Sequence, residues 1–289
     1  MADSDEVSED RGLKELFTAY PFETVEVFVP ELLAQRGRPA SISAIQQEQP
    51  LPDLGEPSRF LDVALLCTWA DGSQAVILLV EHWSEARKVD LIRVHWYYAA
   101  LRLKYPAAEV FPLVLVTDRS AREVPSRLVS IVAGQQVLDF AVRVVRIGPA
   151  DLPRLRLLQN RVAAMLQALA IQDAVEAALA VMMAMQAAPG PLDDLRRFLP
   201  LAQKLARMQD SDEPRFRRRL REEPTMGNML DELVNDAKAE SARATIATLR
   251  RLVARGVMPV DAARAEIEDL IATHAIPEAI GREALGQLG

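Results

Sequence analysis

Residues 60–105 read FLDVALLCTWADGSQAVILLVEHWSEARKVDLIRVHWYYAALRLKY, and this stretch decides the fold. Two apolar runs with high strand propensity, Phe60–Trp69 and Gln74–Val80, flank Asp71-Gly72, a dipeptide typical of a hairpin turn. Both runs are almost continuously apolar, which indicates a sheet that is covered on both faces. The spacing of apolar residues then predicts a helix over residues 87–105, which Pro106 ends.

Each strand of this hairpin carries one acid, Asp62 in the first and Glu81 at the end of the second. The turn lies about midway between them, so the two acids should be near neighbours across the strand pair. Adjacent carboxylates repel each other unless a cation lies between them, and oxygen ligands of this kind suit Mg²⁺ or Mn²⁺. A metal held there could activate water for phosphodiester hydrolysis, and Glu48 could complete the cluster. The structural alternative is that Asp62 pairs with Arg59 or Arg93 while Glu81 caps the strand end.

The segments around the hairpin predict an α/β core. A helix between strands indicates a crossover connection within the sheet. The remaining predicted elements are helices at residues 11–19 and 22–34 (with a kink or break at Pro30), a short strand or helix at 41–49, strands at 110–117 and 137–147, and a short helix at 125–132.

The pattern after Gly148-Pro149 is helical throughout. Several helices are expected over residues 151–222, a long amphipathic helix over 228–255, and two short helices at 260–273 and 277–288. We expect the apolar stripe of the long helix to join copies of the chain into a homo-oligomer. The arginine-rich segment 213–222 is either a solvated helix face or a phosphate-contacting patch.

Composition excludes several classes of protein and site. The net charge of −7 argues against broad nonspecific nucleic-acid binding, and the single cysteine, Cys67, excludes a disulfide framework and a multi-cysteine zinc site. Phosphate-loop, dinucleotide-binding and serine-hydrolase motifs are absent, and three histidines make a histidine-based zinc site improbable. The acidic start MADSDEVSED lacks an apolar core, and no apolar tract reaches membrane-spanning length. We therefore expect a cytoplasmic protein without a membrane segment.

Several motifs in this order resemble the Rpn family of recombination-promoting nucleases, or putative transposases, of the PD-(D/E)XK superfamily. The resemblance covers roughly residues 10–150 and rests on DRGLKELF from Asp10, Glu48, LDV around Asp62, VEHWS around Glu81, and then Arg93 with Tyr97. It implies a restriction-endonuclease-like core with a mixed central sheet flanked by helices, followed by an all-α C-terminal region. It also implies an Mg²⁺-dependent DNA endonuclease in which Asp62 is the central metal ligand, Glu81 the second, and Glu48 the acid of the first motif.

The resemblance also sets the expected domain organisation. The nuclease-like core comprises residues 10–150, a helical region residues 151–227, and the long helix with a small terminal unit residues 228–289. DNA is the expected partner.

One position departs from the family pattern. The family's strand ends Glu-x-Gln or Glu-x-Lys, whereas this chain has Trp83, whose indole has one donor and cannot replace a lysine charge. Lys88 or Arg87 from the following helix could supply that charge. The alternative is a catalytically weakened relative that acts as a DNA-associated or oligomeric interaction module.

Three further side chains lie near the carboxylates in sequence. Arg93 and Tyr97 each have two possible roles, and His82 has a structural one. Arg93 and Tyr97 share a helix face. Either they face the carboxylates, with Arg93 near the scissile phosphate or paired to Asp62, or they form a structural ion pair and a buried phenol. Strand alternation turns His82 away from Glu81, and core packing is its expected role.

Overall fold

The computed structural model describes residues 8–45, 62–223, 242–243, 245–272 and 276–287. The chain divides into two compact units, residues 1–216 and residues 217–289. The first unit is an α/β structure with a mixed five-stranded sheet flanked by helices, and the C-terminal region is helical, as the sequence predicts.

The first part of the chain builds the centre of the sheet. The elements are α1 (Glu9–Ala19), α2 (Pro21–Phe28), α3 (Pro30–Arg36), β1 (Ser41–Ala44), β2 (Val63–Thr68), β3 (Val76–Trp83), α4 (Leu91–Lys104) and β4 (Glu109–Val116). The predicted break at Pro30 is confirmed, because Val29 separates α2 from α3. The central hairpin is also confirmed, since β2 and β3 pair antiparallel.

The elements that follow complete the sheet and begin the helical region. They are β5 (Arg127–Val132), β6 (Gln135–Ala141), β7 (Arg143–Arg146), α5 (Leu152–Leu158), α6 (Arg161–Ala170), α7 (Ala174–Ala187), α8 (Asp193–Ala206) and α9 (Glu213–Glu222). The main sheet has the order β1-β2-β3-β4-β7, in which the last two pairings are parallel. Helix α4 is therefore the expected crossover between β3 and β4.

Three predictions about local structure are wrong. The helix expected at residues 125–132 is strand β5, which pairs with β6 around a turn where Ala133 and Gly134 both have positive φ. That backbone matches the twist of a two-residue hairpin. The strand expected at 137–147 is two strands, β6 and β7, separated at Val142. The helix expected from residue 87 begins at Leu91, because the carboxylate of Asp90 accepts hydrogen bonds from the amides of Ile92 and Arg93.

Both faces of the sheet are covered, as the apolar runs indicate. All eight residues of β3 are buried. One face packs against α4 through a cluster that includes Ile77, Leu79, Val94 and Leu101. Helices α1 and α2 contact β2 and β1, and α8 and α6 in turn contact α1 and α2. The helices of residues 152–206 thus belong to the same compact unit as the sheet.

The second unit has its own small helical core. Residues 245–254 form α10, followed by α11 (Val260–Ala272) and α12 (Glu278–Gly286), which confirms the two predicted terminal helices. Ile246, Leu249 and Ile267 are buried in its core. Much of the long helix predicted over residues 228–255 lies outside the described residues. Within the described parts of the chain, no helix combines the length and the apolar character that a bilayer crossing requires.

Candidate carboxylate site

The hairpin brings Asp62 and Glu81 side by side. Val63 faces Val80 in the β2–β3 register, so the next residues outward are Asp62 and Glu81. The amide of Asp62 donates to Oε1 of Glu81 at 3.1 Å, and the amide of His82 donates to Oδ2 of Asp62 at 2.7 Å. Each carboxylate is thus held by a main-chain amide of the opposite strand. The predicted proximity of the two acids is confirmed.

Burial makes this pair of carboxylates electrostatically unfavourable. Glu81 is fully buried, and burial together with the neighbouring Asp62 raises the pKa of Glu81 to about 8. Burial also raises the pKa of Asp62. In the described part of the chain, Oε2 of Glu81 has no hydrogen-bond donor. A buried oxygen without a donor is costly, so this atom is a point where a cation would be stabilising.

Arg93 is the cation that the fold aims at this pair. Its Nη2 lies 3.3 Å from Oε2 of Glu81, a charge contact without hydrogen-bond geometry. Its Nε donates to the hydroxyl of Tyr97 at 3.3 Å, and its guanidinium lies 5.7 Å from the ring centre of Trp83. Although burial opposes the charge, Glu81 raises the pKa of Arg93, which therefore remains a fixed cation. Arg93 and Tyr97 both face the carboxylates, and Arg93 pairs with Glu81, whereas the structural alternative paired it with Asp62.

Among the other predicted contributors, Lys88 and Arg87 pair with an acid other than Asp62 and Glu81. Lys88 and Arg87 are largely exposed, and both pair with Glu85, the latter at 2.6 Å. Glu48 lies outside the described residues. Trp83 is buried in the cluster beneath α4, so it fills space at the position where the family pattern has a polar side chain. Of the predicted site residues, the structure therefore brings together Asp62, Glu81 and Arg93.

Sequence reasoning missed a second set of charged residues, which surrounds His82. The imidazole Nδ1 pairs with Asp10 of α1, and Nε2 lies 3.0 Å from Oγ1 of Thr117 and 3.3 Å from Oε1 of Glu9. The Thr117 hydroxyl also donates to Glu9. His82 is buried, as its expected core position implies, but charged and polar side chains hold its ring. A buried imidazole needs hydrogen-bond partners, and that requirement is the signal by which Glu9 and Asp10 could have been sought.

These partners fix the charge of His82. Although burial opposes the charged form, hydrogen bonds to Asp10 and Glu9 raise the pKa of His82 to about 9. Conversely, the hydrogen bond to His82 lowers the pKa of Asp10. The charge of Asp10 also acts on Asp62. The carboxyl groups of Glu9, Asp10, Asp62 and Glu81 thus lie among the cations His82 and Arg93, and the charge of Lys14 also acts on Glu81.

A cavity of about 640 Å³ adjoins the acidic residues. Its charged lining is balanced, with the acids Glu9 and Asp210 and the bases Lys204 and Arg207. Arg207 is anchored through Nη2 to the carbonyl of Thr117 at 3.3 Å. On the arginine-rich helix α9, Arg215 pairs with Asp173 at 2.9 Å.

Comparison with known proteins adds no family assignment. No protein-family model, curated protein or solved structure matches this chain. Within the described ranges, no group of three or more His, Cys, Asp or Glu side chains is arranged to hold a metal ion.

Proposed function

We propose that this chain is an Mg²⁺- or Mn²⁺-dependent DNA endonuclease whose site is built on Asp62 and Glu81. The observation that carries the proposal is the buried carboxylate pair, in which Oε2 of Glu81 has no hydrogen-bond donor among the described residues. Two adjacent buried acids favour either protonation of one of them or a bound cation. A divalent cation with oxygen ligands would relieve the repulsion and give Oε2 of Glu81 a ligand bond beside its charge contact with Arg93.

Asp62 and Glu81 are the residues that would hold the metal, with Glu48 as the predicted third acid. Two carboxylates suffice for Mg²⁺, which usually retains several waters and takes phosphate oxygens as further ligands. When bound, such an ion supplies Lewis-acid polarisation of a phosphoryl oxygen and lowers the pKa of a coordinated water.

Arg93 gives the site a second means of stabilising negative charge. Its side chain is partly exposed while its guanidinium reaches Glu81, so it lies between the buried carboxylates and solvent. A guanidinium in that position can bind a phosphate oxygen through several donors. It remains protonated, so it binds charge and does not transfer protons.

Trp83 favours a second candidate, a catalytically weakened relative that works as a DNA-associated or oligomeric interaction module. Its ring is buried against Arg93, and neither Lys88 nor Arg87 replaces a lysine at the carboxylates. In this second candidate the site retains charge stabilisation, and within the described residues neither Trp83, Lys88 nor Arg87 positions or deprotonates water at the end of β3.

A plasmid-nicking assay with Mg²⁺ or Mn²⁺ separates the two candidates. We expect wild-type cleavage that falls at least about a hundredfold in Asp62→Asn and in Glu81→Gln, with Glu123→Gln on an exposed loop as the matched control. Cleavage that survives both site substitutions contradicts the metal-site proposal. If the wild type does not cleave DNA but Trp83→Lys or Trp83→Gln does, the result supports the weakened relative.

A binding measurement without turnover gives an independent readout. Free Mn²⁺ can be followed by electron paramagnetic resonance during titration of the protein. We expect binding by the wild-type chain and a large loss in Glu81→Gln, because that variant retains the shape of the side chain but removes its charge. Equal Mn²⁺ binding by both proteins would place the metal elsewhere.

A further inference from the structure

A cavity of about 440 Å³ lies among helices α5, α6 and α7 of the first unit. Five alanines line much of it, and Leu155 and Met183 are the larger apolar side chains of its wall. Alanine side chains leave open space that larger residues would fill, and a volume of this size is within the range of small-molecule sites. The polar groups in the wall then decide which ligand the cavity suits.

Gln167 of α6 is a buried polar group in this wall. It is only 4% exposed, yet its carboxamide forms no hydrogen bond within the described residues and is reached from the cavity. Asn160, in the same wall, shows the ordinary arrangement, because its Oδ1 accepts from the amide of Ala163 and its Nδ2 donates to Glu26. A buried carboxamide without a partner is costly and rare. A ligand that enters the cavity would supply the partner that Gln167 lacks.

Arg156 of α5 adds a positive charge to the same wall. It is exposed, and within the described part of the chain its guanidinium has no carboxylate or carbonyl partner. Arg154 on the same helix differs, since it donates to the carbonyl of Val27 at 3.1 Å. A guanidinium without an internal partner can bind an anionic group through two parallel donors. The ligand should therefore carry a negative charge at the open side of the cavity and a hydrogen-bonding edge inside it.

The shape of a carboxamide narrows the chemistry of that edge. Gln167 presents an acceptor and a donor side by side in one plane, so a partner that satisfies both must present a donor beside an acceptor. A trans amide does not, because its N–H and C=O point in opposite directions, and a fatty-acid anion offers acceptors only. A nucleobase does present such an edge, and glutamine pairs in this way with N6 and N7 of adenine.

We propose that this cavity binds an adenine mononucleotide, with the base on Gln167 and the phosphate on Arg156. The flat base lies between the alanine walls, and the thioether of Met183, a residue that is 41% exposed, covers the ring at the rim. No residue of the cavity wall belongs to the candidate carboxylate site, so this proposal is independent of the nuclease proposal.

Isothermal titration calorimetry of the full chain with AMP tests the proposal. We expect saturable binding whose dissociation constant rises at least about tenfold in Gln167→Met, which keeps the size of the side chain but removes its donor and acceptor. Arg156→Gln should raise it by at least about tenfold as well, because the phosphate loses its cation. Arg122→Gln is the matched control, since Arg122 is exposed and lies outside the cavity wall. Adenosine, which has no phosphate, should bind the wild type and Arg156→Gln equally.

Urea unfolding without ligand gives a second readout. The midpoint of Gln167→Met should equal or exceed that of wild type, because an unpaired buried amide is costly and a thioether is not. A lower midpoint would show that the amide is paired inside the protein, which contradicts the proposal. The absence of AMP binding at millimolar concentration overturns it, as does an affinity for AMP that is unchanged in Gln167→Met. Tighter binding of GMP than of AMP would contradict the assignment of adenine, because guanine presents two acceptors at N7 and O6.

Discussion

The buried carboxyl group of Glu81 should make the stability of the first unit fall with rising pH. Its pKa is about 8 in the folded chain, against an ordinary value of 4.5. Between these values the folded state holds a proton that the unfolded state has released, so unfolding becomes easier as pH rises. The stability contribution is fully present below pH 4.5 and is lost as pH passes through about 8.

The loss of unfolding free energy follows from the difference between the folded and the ordinary pKa of Glu81. Each pH unit in that window costs about 1.4 kcal/mol, so the total loss is about 5 kcal/mol. The variant Glu81→Gln does not show this loss of stability, because glutamine does not titrate. The free energy of unfolding of wild type relative to the variant should therefore drop by about 2 kcal/mol between pH 5 and 6.5, a range below the ordinary pKa of His82.

Urea unfolding followed by tryptophan fluorescence measures this difference. The three tryptophans, Trp69, Trp83 and Trp96, all lie in the first unit, so the signal reports that unit alone. The experiment is done with a chelator present and with Glu123→Gln as the control. Parallel pH profiles for wild type and Glu81→Gln would refute the reasoning. A further arm at pH 8 with Mg²⁺ should stabilise the wild type and leave Glu81→Gln unchanged.

Three other predictions concern the packing and the charges of the first unit. Leu79→Ala should lower the free energy of unfolding by about 2–5 kcal/mol, measured by urea unfolding, because Leu79 is fully buried in β3. Gly190→Ala should lower the free energy of unfolding by at least about 1–3 kcal/mol in the same assay, since Gly190 has φ of 140° and an added Cβ would lie 2.4 Å from Nε of Arg161. Gly148→Ala is the control and should be tolerated, because its Cβ would meet nothing within 4 Å. Relative to His82→Gln, the wild type should lose about 3 kcal/mol of stability as pH rises from 6.5 to 9, because the folded-state pKa of His82 is about 9; equal profiles would contradict the proposed charge network.

The hairpin and its two acids could be predicted because the relevant contacts are local in sequence. A two-residue turn signal and the lengths of the flanking runs fix which residues face each other, so Asp62 and Glu81 follow directly. The prediction of a helix at residues 125–132 failed for a related reason. Its apolar residues suit a helix or a strand, and the turn at Ala133–Gly134, which decides between them, is a weaker signal than Asp71-Gly72.

The partners of the site could not be predicted, because they come from distant parts of the chain. His82 meets Glu9 and Asp10 across more than seventy residues, and the choice of Arg93 over Lys88 or Arg87 depends on where α4 begins. Asp90 caps α4 and turns Arg93 toward Glu81, while the residues before it remain at the surface with Glu85. Spacing alone does not distinguish these cations.

The sequence by itself determined the mixed α/β character, the central antiparallel pair and the adjacency of Asp62 and Glu81, since turn chemistry and side-chain alternation act over a few residues. Only the tertiary structure decided which charges surround that pair, how deeply each is buried, and that the carboxamide of Gln167 faces a cavity. The physical reason is that burial and charge pairing depend on how α1, α4 and β4 pack onto the hairpin, and that packing is set by the whole core.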